Sequence, residues 1–159
     1  MNPTDSITIR EANSSAEIGM VRELLLEYQQ ALGIDLCFQG FAAELENLPG
    51  EYAPPRGRLL LARVADDVAG CVALRPLSGD AGEMKRLYVR PAYRALSVGR
   101  QLAKRLIVEA RAIGYRQIML DTLPEMDKAQ RLYESLGFVE IAPYRHNPIV
   151  GTRFLGLAL

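Results

Sequence analysis

The stretch LYVRPAYRALSVGRQLAK, residues 87–104, decides how this chain is read. Leu87, Tyr88 and Val89 suit a strand, which must stop at Pro91 because proline has no ladder donor. From Val98 onward Leu102, Leu106, Ala110 and Ile113 keep helical steps until Gly114. A strand therefore feeds through Arg90, Pro91, Ala92 and Tyr93 into the turn Arg94, Ala95, Leu96, Ser97, Val98, Gly99, Arg100, which opens a helix. A helix amino terminus presents unpaired N–H groups and a partial positive charge, which suits a phosphate or pyrophosphate. Arg94, Arg100 and Lys104 add cations, and Gly99 lets a ligand approach the backbone closely. The same spacing fits an ordinary connection with a solvated basic face, and spacing alone leaves both readings open. Neither G-x-x-x-x-G-K-[ST] nor a G-x-G-x-x-G after a strand occurs.

Working outward, residues 117–120 return as a strand, so strand, helix and strand imply a parallel pair with a right-handed crossover. Ala129, Leu132, Tyr133 and Leu136 mark another helix ended by Gly137, followed by short strand candidates at 138–141 and 153–157. Upstream, 58–64 and 68–75 are β-rich and separated by Ala65, Asp66 and Asp67, which is hairpin spacing. Residues 76–82 are read as the next turn and 83–89 as the following strand. Ile7 and Ile9 alternate as a first strand. Ser14 and Glu17 then stand at capping-box spacing before the stripe Ile18, Val21, Leu25, Tyr28, Leu32, with Gly33 as the stop. A shorter helix is expected over 41–48, and Pro49, Gly50, Pro54, Pro55 and Gly57 make the segment after it a loop. The fold class is α/β (α+β): a mixed sheet flanked by helices, in one domain spanning 1–159.

Of the 159 residues 49% are apolar and 24% charged, ordinary for a globular protein and enough for a core without disulfide or metal staples. The 19 basic and 19 acidic residues cancel, which argues against a nucleic-acid partner. Cys37, Cys71 and the lone His146 cannot build a metal cluster, so no metal is expected. Met1 to Asp5 is polar and 59–62 is too short to span a bilayer, so neither secretion signal nor membrane partner is expected. The chain is read as cytoplasmic, and its sequence is compatible with a homodimer.

Taken together, Glu83, Met84, Lys85, Arg86, Leu87, Tyr88, Val89, the Arg94-to-Gly99 turn and AQRLYESLGF at 129–138 resemble the GNAT superfamily of acetyl-CoA-dependent N-acetyltransferases. Arg94 and Gly99 match the first and last positions of that family's [Q/R]-x-x-G-x-[G/A] turn. The A-x-x-L-Y-x-x-L-G-F segment matches throughout. The resemblance implies a mostly antiparallel sheet with one splayed parallel pair, acetyl-CoA as cosubstrate, and a pyrophosphate held by Arg94, Ala95, Ser97, Val98, Gly99 and Arg100. It also implies backbone contacts from Leu87 and Val89 to the pantetheine arm, their side chains being core. Ser97 replaces the first turn glycine and is read as tolerated, its backbone opening the helix without a positive φ. Met126 stands where many members carry an asparagine.

The implied reaction transfers an acetyl group directly from a thioester to an amine, which must first lose a proton. Glu83 is the candidate base by resemblance, acting directly or through water; its residue-level alternative is a solvated strand-end carboxylate paired with Lys85 or Arg86. Tyr133 is the candidate acid for the departing thiolate, although its apolar stripe would also place it in the core. Arg75, His146, Arg153 and Tyr52 are candidates for an acceptor pocket, with surface roles as the alternative. The acceptor is expected to be a small-molecule or amino-acid-like amine; a peptide amine, or a non-catalytic acyl-CoA-binding module, are the other readings.

Overall fold

The structure is a computed structural model that describes residues 6–33 and 40–159; the Met1 to Asp5 segment and Cys37 lie outside them. The strands are β1 (Ile7–Glu11), β2 (Arg58–Val64), β3 (Asp67–Ser78), β4 (Ala81–Val89), β5 (Gln117–Thr122), β6 (Val139–Glu140) and β7 (Arg153–Ala158). The helices are α1 (Ser15–Leu32), α2 (Phe41–Glu46), α3 (Val98–Ile113) and α4 (Asp127–Ser135). The sheet runs β1-β2-β3-β4-β5-β7-β6, and among the described residues only β4 and β5 pair in parallel.

Local chemistry sets the helix ends. The Ser14 hydroxyl accepts from the Glu17 N–H while the Glu17 carboxylate accepts from the Ser14 N–H, a reciprocal cap. Gly33 closes α1 at φ 63°, where a side chain would be strained. Strand alternation then divides the core. Leu59, Leu61, Ala73 and Tyr88 face Val21, Leu24, Leu25 and Phe41 of α1 and α2. Leu60, Val72, Leu74, Met84 and Ile118 face Leu102, Leu106 and Ala110 of α3.

Several boundaries differ from the sequence expectation, and three change how the elements are read. The second helix stops at Glu46, leaving Leu48 outside it. The turn expected over 76–82 is instead paired strand, with Pro76 opposite Gly82, and only Gly79 and Asp80 separate β3 from β4. Proline is accommodated because β2 ends opposite Leu74, so beyond it that side of β3 is an open edge with no donor required. The fifth strand extends past Leu120 to Thr122 and so carries Asp121 into the sheet.

One irregularity positions the site. Cys71 pairs with Tyr88 but Ala73 pairs with Lys85, so β4 holds an extra residue there. Arg86 takes up the bulge at φ 62°. Its buried guanidinium is anchored by Glu44 at 2.8 Å and lies over the Phe41 ring, so partners on α2 hold the strained backbone in place. β4 and β5 pair only at Ala81, Gly82 and Glu83 with Gln117, Ile118 and Met119, and then diverge.

Candidate active site

Past Glu83 the edge of β4 that faces β5 forms no further strand pairs, and a cleft of about 650 Å³ opens there. Lined by residues 84–89, it reaches Arg94 on one side and Met126, Ala129 and Tyr133 on the other. Leu87 and Val89 turn their side chains into the α3 face of the core, so what they offer the cleft is backbone. The Arg94 guanidinium donates to the Val89 carbonyl at 2.9 Å and lies 5.8 Å from the Tyr88 ring, fixed where the strand ends.

Residues 91–96 form a 3₁₀ turn, and Ser97 then reverses the chain into α3 with φ 63° and ψ 23°. The expectation that Ser97 avoids a positive φ is overturned: a left-handed residue is needed to join the two helical segments. Its hydroxyl makes no capping bond, so the first N–H groups of α3 have no side-chain partner at Ser97. Ala95 is exposed beside it, and the Val98 side chain is core. A Cβ at Gly99 would meet Val89 and Leu132 only at ordinary contact distance, so packing does not demand glycine there. Arg100 donates to the Ser135 hydroxyl at 2.7 Å, and Lys104 is exposed one turn further on.

A left-handed serine costs about 1–2 kcal/mol, against about 0.5–1 kcal/mol of extra chain entropy for glycine. Ser97→Gly is therefore expected to raise the melting temperature by about 1–4 °C in a calorimetric scan. Acetyl-CoA affinity should change by less than about tenfold. A lowered melting temperature would mean that the serine side chain stabilises the turn.

Tyr133 sits on α4 with its ring 5.7 Å from Phe138, almost wholly buried but reaching the cleft. Burial raises the pKa of its hydroxyl, which stays protonated. Met126 caps the approach to α4 and lines the cleft, with its sulfur 3.8 Å from the Thr122 hydroxyl.

Glu83 is fully buried and outside the cleft wall, which removes the reading of a solvated strand end. It accepts from Arg75 at 2.9 Å, Arg145 at 2.8 Å and the Tyr144 hydroxyl at 2.6 Å. Burial pushes its pKa up, but Lys85, Tyr144, Arg75 and Arg145 together outweigh that and hold it below the ordinary value. Of the acceptor candidates, Arg75 also pairs with Glu51, and Tyr52 is buried beside it in a separate cavity of about 260 Å³. Arg153 is bound to Glu134 and Glu140, and His146 is exposed; neither lines the cleft.

The sequence reading named Lys85 only as a partner for Glu83 and missed Asp121; both line the cleft with Asn147. Glu83 pairs with Met119, so two residues further along each strand Lys85 and Asp121 come opposite one another across the opening. A signal existed: each is a charge on a strand otherwise rich in apolar residues. Burial pushes the Lys85 ammonium down to about 8, against the pull of Glu83 and Asp121.

The site is thus defined by two parallel strands that part over a cleft, near the amino terminus of α3. A model of the Acetyltransferase (GNAT) family matches residues 20–138. An uncharacterized N-acetyltransferase of Schizosaccharomyces pombe is 40% identical over 161 residues, covering 100% of this chain and 98% of that one. A GNAT family acetyltransferase of Staphylococcus aureus superposes with a TM-score of 0.79 at 25% identity, over 96% of this chain and 98% of that one. The structure of a GNAT family acetyltransferase from Elizabethkingia anophelis with acetyl-CoA bound gives a TM-score of 0.70 at 21% identity, over 98% and 99% of the two chains. This chain belongs to the GNAT family of acetyltransferases, and with that it is an acetyl-CoA-dependent acyltransferase.

Proposed function

We propose that the protein transfers the acetyl group of acetyl-CoA to the primary amine of a small, amino-acid-like acceptor. The parting of β4 from β5 after three residue pairs carries this reading. It leaves a strand edge against which an amide-bearing arm can pair as an added strand would. The N–H groups opening α3, with Arg94, Arg100 and Lys104 near them, suit the charge of a pyrophosphate at the end of that edge. Bound there, acetyl-CoA supplies a thioester carbonyl carbon open to attack by an amine.

The chain's own residues supply the rest. Tyr133 donates its hydroxyl proton toward the departing sulfur. Glu83 acts as a positioning residue, because its oxygens already accept from three donors and tie Tyr144 and Arg145 to β4. Lys85 and Asp121 present one charge of each sign where the strands part, which suits an acceptor carrying both an ammonium and a carboxylate.

The test is to incubate the protein with acetyl-CoA and amino acids, polyamines or short peptides while following free thiol. Thiol release with amino acids is the expected result. Turnover with peptides alone would replace the acceptor class, and acetyl-CoA binding without any turnover would return the non-catalytic module. In Arg94→Ala, acetyl-CoA affinity measured by calorimetry should fall by about tenfold, less at high salt where the lost charge mattered less. Unchanged affinity in a folded variant would take the turn out of the site.

A further inference from the structure

We infer that Asp121 is the catalytic base, receiving the proton that the acceptor's ammonium must lose before it attacks; this rests on the acyl-transfer reading above. Asp121 is the next residue on the α1 face of β5 after the last β4 pair, half-buried at the cleft wall. Lys85 from β4, Tyr28 from α1, Tyr133 from α4 and Asn147 from the segment between β6 and β7 line the same cleft. The Asn147 amide, also at the cleft wall, donates to Oδ2 at 3.4 Å. Asp121 and Tyr133 line the same cleft, so the proposed base and the candidate acid border one space.

The alternatives fit less well. Glu83 stands outside the cleft wall with its oxygens committed. Lys85 has its ammonium pushed down to about 8 and therefore still holds its proton at pH 7. Glu125 and Asp127 line the cleft only as exposed residues beside the start of α4, beyond the point where the strands part.

The protons balance. Asp121 takes the first proton from the ammonium and passes it to water. The freed nitrogen bonds to the carbonyl carbon as the carbon–sulfur bond breaks, and Tyr133 gives its proton to sulfur. The second nitrogen proton, lost as the amide forms, restores Tyr133. Each turnover yields one amide, one thiol and one released proton.

Two probe nucleophiles separate this role from a structural one. Glycine is an ammonium at pH 7 and needs a base, whereas hydroxylamine is largely neutral there and does not. At saturating glycine, where a weakened ammonium contact shows in KM rather than in kcat, Asp121→Asn should lower kcat by about 10²-fold or more, and by much less with hydroxylamine. Asp121→Glu should recover part of the glycine rate, because it restores a carboxylate. Loss of both rates together, loss of neither, or a glycine-selective loss in Glu83→Gln with none in Asp121→Asn would overturn the assignment. If the wild type turns over hydroxylamine but no amino acid, the amino-acid acceptor is wrong. Asp121 is then judged on the peptide or polyamine that does release thiol, which is an ammonium at pH 7 as glycine is.

Discussion

Tyr133→Phe is expected to lower kcat by about 10²-fold while leaving acetyl-CoA affinity nearly unchanged. The substitution removes one hydroxyl and keeps the ring, so the packing against Phe138 survives. The lost oxygen bears a proton at working pH, since burial raises its pKa. A departing thiolate without a donor leaves more slowly, and 10²-fold is the lower end of what a positioned acid contributes. Single-turnover thiol release, with calorimetry for affinity, makes the measurement. Full activity in a variant whose chemical step limits turnover would leave Tyr133 with a packing role only.

Glu83→Gln should carry the largest stability cost. Removing one member of a buried ion pair costs about 3–5 kcal/mol because its partners lose their counter-charge. Arg75 and Arg145 keep side-chain exposures of 23% and 25%, so water recovers part of each, and the low end applies. A loss of about 3 kcal/mol corresponds to a melting temperature lower by about 6–12 °C. The pH dependence has a definite sign. The folded-state pKa lies below the ordinary value of 4.5, so the wild-type advantage is complete above that pH and disappears as pH falls through the folded value. Denaturation of both proteins at pH 7 and under acid conditions checks it. An advantage that is the same at both would mean that the charge of Glu83 is not what stabilises the fold.

Local chemistry made much of the fold legible. The Ser14 and Glu17 cap, the hairpin around Ala65 and Asp66, and the strand, helix, strand passage from β4 to β5 each depend on neighbours in sequence. Features that depend on distant partners were hidden. The bulge at Arg86 needs Glu44 and Phe41 of α2, and Glu83 owes its burial to donors at 75, 144 and 145. Asp121 meets Lys85 only once the register between β4 and β5 is fixed. Ser97 hid its backbone conformation because serine most often caps a helix from the extended region, whereas here it joins two helical segments from the left-handed one.

The short β4–β5 pairing also has a mechanical consequence. β5 shares three residue pairs with β4 but six with β7, so the sheet is two leaves stitched by a weak seam. A ligand laid along the seam replaces missing cross-links, so its binding energy is spent largely on cohesion between the leaves. At a hundredfold excess over its dissociation constant, such a ligand adds about 2.7 kcal/mol to global stability. Amide exchange should register that gain as slower opening along residues 84–88 and 120–122, on both lips of the seam, and less in β1 and β2, which lie away from it.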